Sequence, residues 1–442
     1  MKKPDAIVIG ADVGGLAAAA YLTRAGKQVL VLEREVTPAE PIGPVYALDP
    51  LVLSDLKLPA RGLRFVHRDL PLAFAAPNIV SLGRDPHQAA RALGRLSLAD
   101  AGAWASFRRE LYGLARQLRP WWWSALADGA PGWMLERAKA KALLARLSVT
   151  GADAFLAEHF ESESLIAALL FDASAGGFHV SEPGSALALV WRAAQEMAGL
   201  EGATSMPAPD TLIWSLIKAV GDADFRCCAE VTAILTHDGQ AGHGRVIGVR
   251  LKNGEEINAD CVLSSMGPSA TMALAGQPAQ HARLGEARLL ISLREKIAFA
   301  PARLVLVERP DIFADAHEAA RSGRLPAELP MEFVAASPDK VAVTLRPVPA
   351  YLKQEDKVQL AARAVRALGR QIPGAASLVT GLRFSVSAPE RASLTQLLSP
   401  SRTRVQTKIG GLYLCGAEAE PVPSLSGRAA RIAAAEALKF QK

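Results

Sequence analysis

Ala6-Ile7-Val8-Ile9-Gly10-Ala11-Asp12-Val13-Gly14-Gly15 opens the chain, and Gln28-Val29-Leu30-Val31-Leu32-Glu33 follows it. Ala6–Ile9 is an apolar run of the length of a buried parallel strand. Gly10 permits the tight turn out of it. Gly15 lets the following helix pack close to the sheet. Residues 16–25 are rich in Ala and Leu, strong helix formers, and Gly26 stands where a helix-ending glycine belongs. Residues 28–32 read as a second strand, and Glu33 at its end is placed to accept hydrogen bonds from ribose hydroxyls. Strand, turn, helix, cap, strand and acid in this order define a dinucleotide-binding βαβ unit. One residue is out of place: Asp12 occupies the middle glycine position of G-x-G-x-x-G.

The remaining chain sets limits. Its 442 residues suit two to three domains, and half are hydrophobic, enough for a sizeable core. The net charge of +6 is mildly basic. No dense Lys/Arg tract or nucleic-acid motif accompanies it, so nucleic acid is not an expected partner. Cys227, Cys228, Cys261 and Cys415 lack metal or disulfide spacing and read as core thiols of a reducing, cytoplasmic compartment. No apolar run reaches spanning length. The basic start Met1-Lys2-Lys3 is explained by the βαβ unit, not by a signal peptide.

Further elements follow from pattern. Helices are expected at 97–119, 185–199, 354–370 and 426–438. Strands are expected at 231–236, 245–251, 255–258, 261–264, 303–307, 332–336, 341–345 and 412–415, with a tight turn at Asn253-Gly254. Nucleotide-type βα units thus stand at both ends, around a three-stranded meander. The expected architecture is α/β: a discontinuous Rossmann-like domain of glutathione-reductase type, with a mixed α+β substrate domain. Residues 1–60, 205–275 and 410–442 form the first, and 61–204 with 276–409 the second.

The chain resembles the phytoene desaturase-like FAD-dependent oxidoreductases over most of its length. The specific matches are Ala17-Ala18-Ala19-Ala20-Tyr21-Leu22, Val29-Leu30-Val31-Leu32-Glu33-Arg34 and Gly411-Leu412-Tyr413-Leu414-Cys415-Gly416-Ala417. Leu51–Leu56, Arg95–Ala101 and Gly248–Leu251 match more loosely. The resemblance implies FAD as cofactor and hydride transfer from an apolar, isoprenoid- or lipid-like substrate to flavin. It implies cofactor contacts by Gly10, Asp12, Gly14, Gly15, Glu33, Arg34, Val231, Gly416, Ala417, Glu418 and Ser426. No catalytic side chain and no metal are expected, because the flavin carries the chemistry.

Four departures from the family pattern converge on the cofactor. Asp12 places a carboxylate beside the pyrophosphate; at about 4–5 Å and an effective dielectric of about 20 this costs about 3–4 kcal/mol. The double-glycine stretch after Glu33 becomes Thr37-Pro38-Ala39-Glu40-Pro41-Ile42-Gly43-Pro44. A Pro-x-Gly-Gly-Met becomes Pro207-Ala208-Pro209-Asp210-Thr211. The C-terminal glycine run becomes Gly416-Ala417-Glu418-Ala419-Glu420-Pro421-Val422-Pro423-Ser424. The alternative to an oxidoreductase is therefore a flavin-free pseudoenzyme that keeps the fold as an apolar-ligand-binding or partner protein.

Arg428 falls in the first turn of the last helix, where the macrodipole disfavours a cation. It either pairs with Asp12 across the pyrophosphate space or points to solvent. Trp121-Trp122-Trp123 cannot share one helix face, since each step turns about 100°. Core packing, a substrate entrance or a peripheral membrane contact are the readings. The eight histidines have no ligand spacing, and Cys227 and Cys228, on an expected strand, would face opposite ways.

Overall fold

Ala6–Ile9 lies fully buried between two parallel neighbours, Val29–Leu32 and Val262–Ser264. Asp224–Arg226 adds to one side and Leu412–Leu414 to the other, so the first sheet has five parallel strands drawn from distant parts of the chain. This is a computed structural model; it describes residues 3–441 apart from 39, 47, 77, 124–137, 201–203, 238–243, 279–282, 388–397, 399–404 and 420–425.

The strand period of two assigns the two faces. Ala6, Val8, Val29 and Val31 pack on the helices Val13–Arg24, Pro209–Val220 and Arg428–Phe440. Ile7, Ile9, Leu30 and Leu32 pack on a three-stranded antiparallel sheet of Val231–His237, Arg245–Leu251 and Glu256–Asn258. Both faces are covered, which is why these strands are apolar throughout.

A second sheet has seven strands in the order Val379–Ser387, Leu284–Leu293, Lys340–Pro349, Met331–Ser337, Arg303–Leu306, Leu72–Ala76, Asn78–Leu82. Leu289, Ile291, Phe333, Val343 and Leu345 pack its one face against helix Gln354–Gln371. Its other face looks toward the five-stranded sheet's domain. Four of these strands (284–293, 379–387, 72–76 and 78–82) are not expected from local pattern. The first carries charges at alternate positions, Glu286 and Arg288, and the second carries Arg383 with Ser385 two positions on, which breaks the apolar run that marks a strand.

Helices Leu98–Trp123, Glu163–Ala173 and Leu187–Ala198 build a separate core beside this sheet. The first of them runs through Pro120 instead of ending at 119. Trp121 and Trp122 are 1% and 0% exposed, and burying two indoles outweighs an interior proline's cost of about 3 kcal/mol. Neither ring reaches the surface; the side chain of Trp123 lies outside the described residues. Cys227 and Cys228 follow the strand Asp224–Arg226 and are both exposed, Cys228 with a φ of 54°. The expectation of core thiols holds for Cys261 and Cys415, which are buried beside the ends of strands Val262–Ser264 and Leu412–Leu414, and fails for this pair. Among the described residues, no helix is long and apolar enough to cross a membrane, and no group of metal-ligating side chains occurs.

Candidate functional site

The turn after the first strand is built on Gly10, whose φ is 94° and whose Cβ would stand 2.3 Å from Ser265 Oγ. A Cβ on Gly15 would meet the Gly10 carbonyl at 1.9 Å, so this glycine brings the helix onto the turn. Asp12 has φ of −81°, which any residue adopts. Its Oδ1 accepts the Gly15 N–H at 2.9 Å, making the misfit residue the N-cap of helix Val13–Arg24. The protein crowded around Asp12 raises its carboxyl above the usual range; the Gly15 and Gly14 N–H groups and Ser265 oppose this, and Glu33 adds to it. Glu33 Oε2 accepts the Ala11 N–H at 2.7 Å and Oε1 the Glu35 N–H at 2.9 Å. Ala229 N–H reaches the Glu33 carbonyl at 2.8 Å, which sets Val231 near this strand end. Arg34 is exposed and pairs with Glu35 at 3.1 Å.

From the other end of the chain, a Cβ on Gly416 would stand 2.2 Å from the Ser265 carbonyl, and one on Gly14 would stand 2.5 Å from the Cys415 carbonyl. These two glycines weld the first helix and the last strand together. Gly427, with φ of 82°, then starts helix Arg428–Phe440. A cleft of about 460 Å³ opens here, within the range of small-molecule sites. Asp12, Val13 and Gly14 line it at one helix N-terminus, and Ser426, Gly427 and Ala429 at the other. Ala417 also lines it. Gly10, Gly15, Glu33, Arg34, Val231, Gly416 and Glu418 are not among its lining residues. Glu418 instead accepts the Ser387 hydroxyl at 2.6 Å. Glu420 and Val422-Pro423-Ser424 lie outside the described residues.

Arg428 answers neither expectation. It is 1% exposed, and its guanidinium donates to the Trp122 carbonyl, tying the last helix to helix Leu98–Trp123. Asp12 meets the Gly15 N–H instead.

The opposite wall of the cleft is the free face of the seven-stranded sheet. Strand register aligns Ser385, Arg288, Thr344 and Glu332 in one row across four strands, and all four line the cleft. Arg383, Glu286 and Arg346 flank this row. Arg288 Nε donates to Glu286 at 2.7 Å, and Arg346 donates to the same carboxylate and, at 2.9 Å, to the Phe171 carbonyl. Burial raises the Glu286 pKa, but Arg288 and Arg346 overcome it and hold the carboxyl at about 2. Behind the row, Arg303 is 1% exposed and bridges Glu332 at 2.7 Å and Asp172 at 2.6 Å. Asp172 also meets Arg192 at 3.5 Å, and Tyr46 lies under both guanidiniums at 5.2 and 5.7 Å. Despite burial, Arg192, Arg303 and Arg346 keep the Asp172 carboxyl below the usual range. Ile42, Val45, Ala175, Trp191 and Ile213 supply the apolar flank.

Sequence reasoning does not find this charged wall. The readable signal is a charged or polar residue at every second position of an otherwise apolar run, as in Glu286-Ala287-Arg288-Leu289 or Thr344-Leu345-Arg346. It marks a strand with one face in a core and one face on a polar cavity.

The donor set suits a dinucleotide. Two helix N-termini present their positive ends to one cleft, Gly14 lets backbone border it directly, and Glu33 ends the second strand. Asp12 is the opposing group, and its withdrawal onto the Gly15 N–H together with its raised pKa lessens the opposition.

The sequence pattern of the NAD(P)-binding Rossmann-like domain matches residues 8–39. Pyridine nucleotide-disulfide oxidoreductase domain-containing protein 2 of Rattus norvegicus is 29% identical over 328 residues, 60% of this chain and 54% of that protein. The chain thus spans about half the length of the curated relatives it matches. Among solved structures, an oxidoreductase from Methanosarcina mazei superposes with a TM-score of 0.59 at 14% identity, covering 98% of this chain and 99% of that one. The cyclohexylamine oxidase of Brevibacterium oxydans superposes with 0.55 at 16% identity, covering 99% of both. Residues 8–39 therefore carry the pattern of an NAD(P)-binding Rossmann-like domain, the chain shares its overall fold with this oxidoreductase and this oxidase of known structure, and it is similar in sequence to pyridine nucleotide-disulfide oxidoreductase domain-containing protein 2.

Proposed function

We propose that this protein is an FAD-dependent oxidoreductase of the phytoene desaturase-like kind, with an atypical cofactor pocket, acting on a small organic molecule with a largely apolar body. The observation that carries this reading is the single cleft bounded by two helix N-termini on one side and a second domain's sheet on the other. Bound FAD would supply a hydride acceptor. The chain's own residues do the rest. Val13, Gly14, Ser426 and Gly427 offer backbone to the cofactor's polar groups. Ile42, Val45, Trp191 and Ile213 hold the substrate's apolar part and exclude water. The paired charges on the sheet give the cleft a fixed field that needs no reorganisation during the reaction.

The test is direct. Purified protein is expected to show the visible absorbance bands of flavin, or to be stabilised against heat by added FAD as binding to the folded state requires. A colourless protein with a melting temperature indifferent to FAD would overturn the reading.

One observation favours a second reading, a flavin-free binding protein: Asp12 and Glu33 already accept the N–H groups of Gly15 and Ala11. The same experiment separates the two.

A further inference from the structure

Each charged group lining the sheet side of the cleft has a countercharge, with one exception. Glu286 is shared by Arg288 and Arg346. Asp172 takes Arg192 and Arg303, and Glu332 takes Arg303. Glu40 takes Lys340 at 2.7 Å. Arg383 lines the same cleft, half-buried, and has no hydrogen-bond or ion-pair partner among the described residues.

Its position is fixed by register. Arg383 pairs with Leu290, and Ser385 pairs with Arg288 on the same strand. Positions two apart share a face and lie about 7 Å from one another. Arg383, Ser385 and Arg288 therefore point the same way, into the cleft. Arg288 gives only its Nε to Glu286, and its side chain is 32% exposed. Glu418 lies close enough to Arg288 to act on it electrostatically, and the Ser387 hydroxyl occupies one of its oxygens. Counting Arg288, Arg346 and Arg383 against Glu286 and Glu418 leaves this corner one positive charge in excess, and Arg383 is the residue left over.

A guanidinium facing a cleft with its donors unused is available to an incoming anion. Its planar fork matches a carboxylate or a phosphate. We propose that Arg383, with Ser385 and Arg288, binds an anionic head group of an otherwise apolar substrate, so that the substrate is amphipathic: a carboxylate or phosphate on the sheet, a hydrocarbon body along Ile42, Val45 and Trp191. The proposal rests on reading the cleft as the substrate site. It narrows the expectation of an apolar, isoprenoid- or lipid-like substrate to one that carries an anionic head.

Isothermal titration of the full chain with octanoate, octyl phosphate and octanol tests it. At least one anion is expected to bind roughly tenfold tighter than octanol, and the two anions against each other distinguish carboxylate from phosphate. R383Q is expected to lose that preference while octanol binding and melting temperature stay unchanged. Should R383Q fail to fold, the wild type decides alone: inorganic phosphate is expected to compete with the anionic probe and not with octanol. Octanol binding as tightly as both anions, preference retained in R383Q, competition absent, or no probe bound would each overturn the proposal. Flavin content is read separately from visible absorbance. A yellow protein without anion preference defeats this inference alone, and a colourless protein with it defeats the oxidoreductase reading alone.

Discussion

At Asp12 a single side chain bears on the proposed FAD site. Its carboxylate stands on the turn that would face the pyrophosphate of bound FAD, and it caps the first helix through the Gly15 N–H at 2.9 Å. If it lies about 4–5 Å from a phosphate charge at an effective dielectric of about 20, the repulsion is about 3–4 kcal/mol. D12G is therefore expected to tighten FAD binding by roughly a hundredfold or more, measured by quenching of FAD fluorescence. Unchanged affinity would mean that the phosphates lie elsewhere. The same carboxyl has a raised pKa, through crowding first and then Glu33. Protonation removes the repulsion, so FAD affinity in the wild type is expected to rise as pH falls through that raised pKa. D12G should lose this dependence, and a pH series of FAD titrations on both proteins checks it.

At the scale of elements, the seven-stranded sheet separates an apolar face from a charged one by strand alternation alone. Leu289 and Ile291 go to the helix Gln354–Gln371, while Glu286 and Arg288 go to the cleft. Glu286 is the tie between Leu284–Leu293 and Lys340–Pro349, through Arg346. Its folded pKa of about 2 lies below the ordinary 4.5. A depressed carboxyl contributes stability that is full above its unfolded pKa and is lost as pH falls from about 4.5 through about 2. E286Q is expected to cost about 3 kcal/mol near neutral pH, read from urea denaturation. It should also flatten the loss of stability on acidification. An acid profile identical to the wild type would show that Glu286 does not titrate in this way.

Across the whole molecule, two arginines join parts that are distant in sequence. Arg303 bridges Glu332, 29 residues away, and Asp172, 131 residues away, so it fastens helix Glu163–Ala173 to the sheet. R303A leaves two buried carboxylates without that partner and is expected to destabilise the fold by about 3–5 kcal/mol, measured as a shift in denaturation midpoint. A loss below about 1 kcal/mol, the level of an exposed pair, would show that the cluster relaxes or admits water. Arg428 links the last helix to helix Leu98–Trp123 through the Trp122 carbonyl, which joins the helix beside the five-stranded sheet to the separate helical core.

The sequence by itself determined the βαβ unit, because its rules are local. A four-residue apolar strand, glycines at fixed offsets and a helix of Ala and Leu act within about thirty residues. The last strand and helix were legible for the same reason. The tertiary structure alone decided what Asp12, Arg428 and the sheet wall do. Asp12 became a cap because a helix N–H was nearer than any cation. Arg428 turned inward because a carbonyl from residue 122 met it there. The row Ser385, Arg288, Thr344, Glu332 exists only through register between four strands. Register is a property of pairing between segments and not of any one of them, so no single stretch of the chain announces a charged wall or leaves Arg383 visibly without its partner.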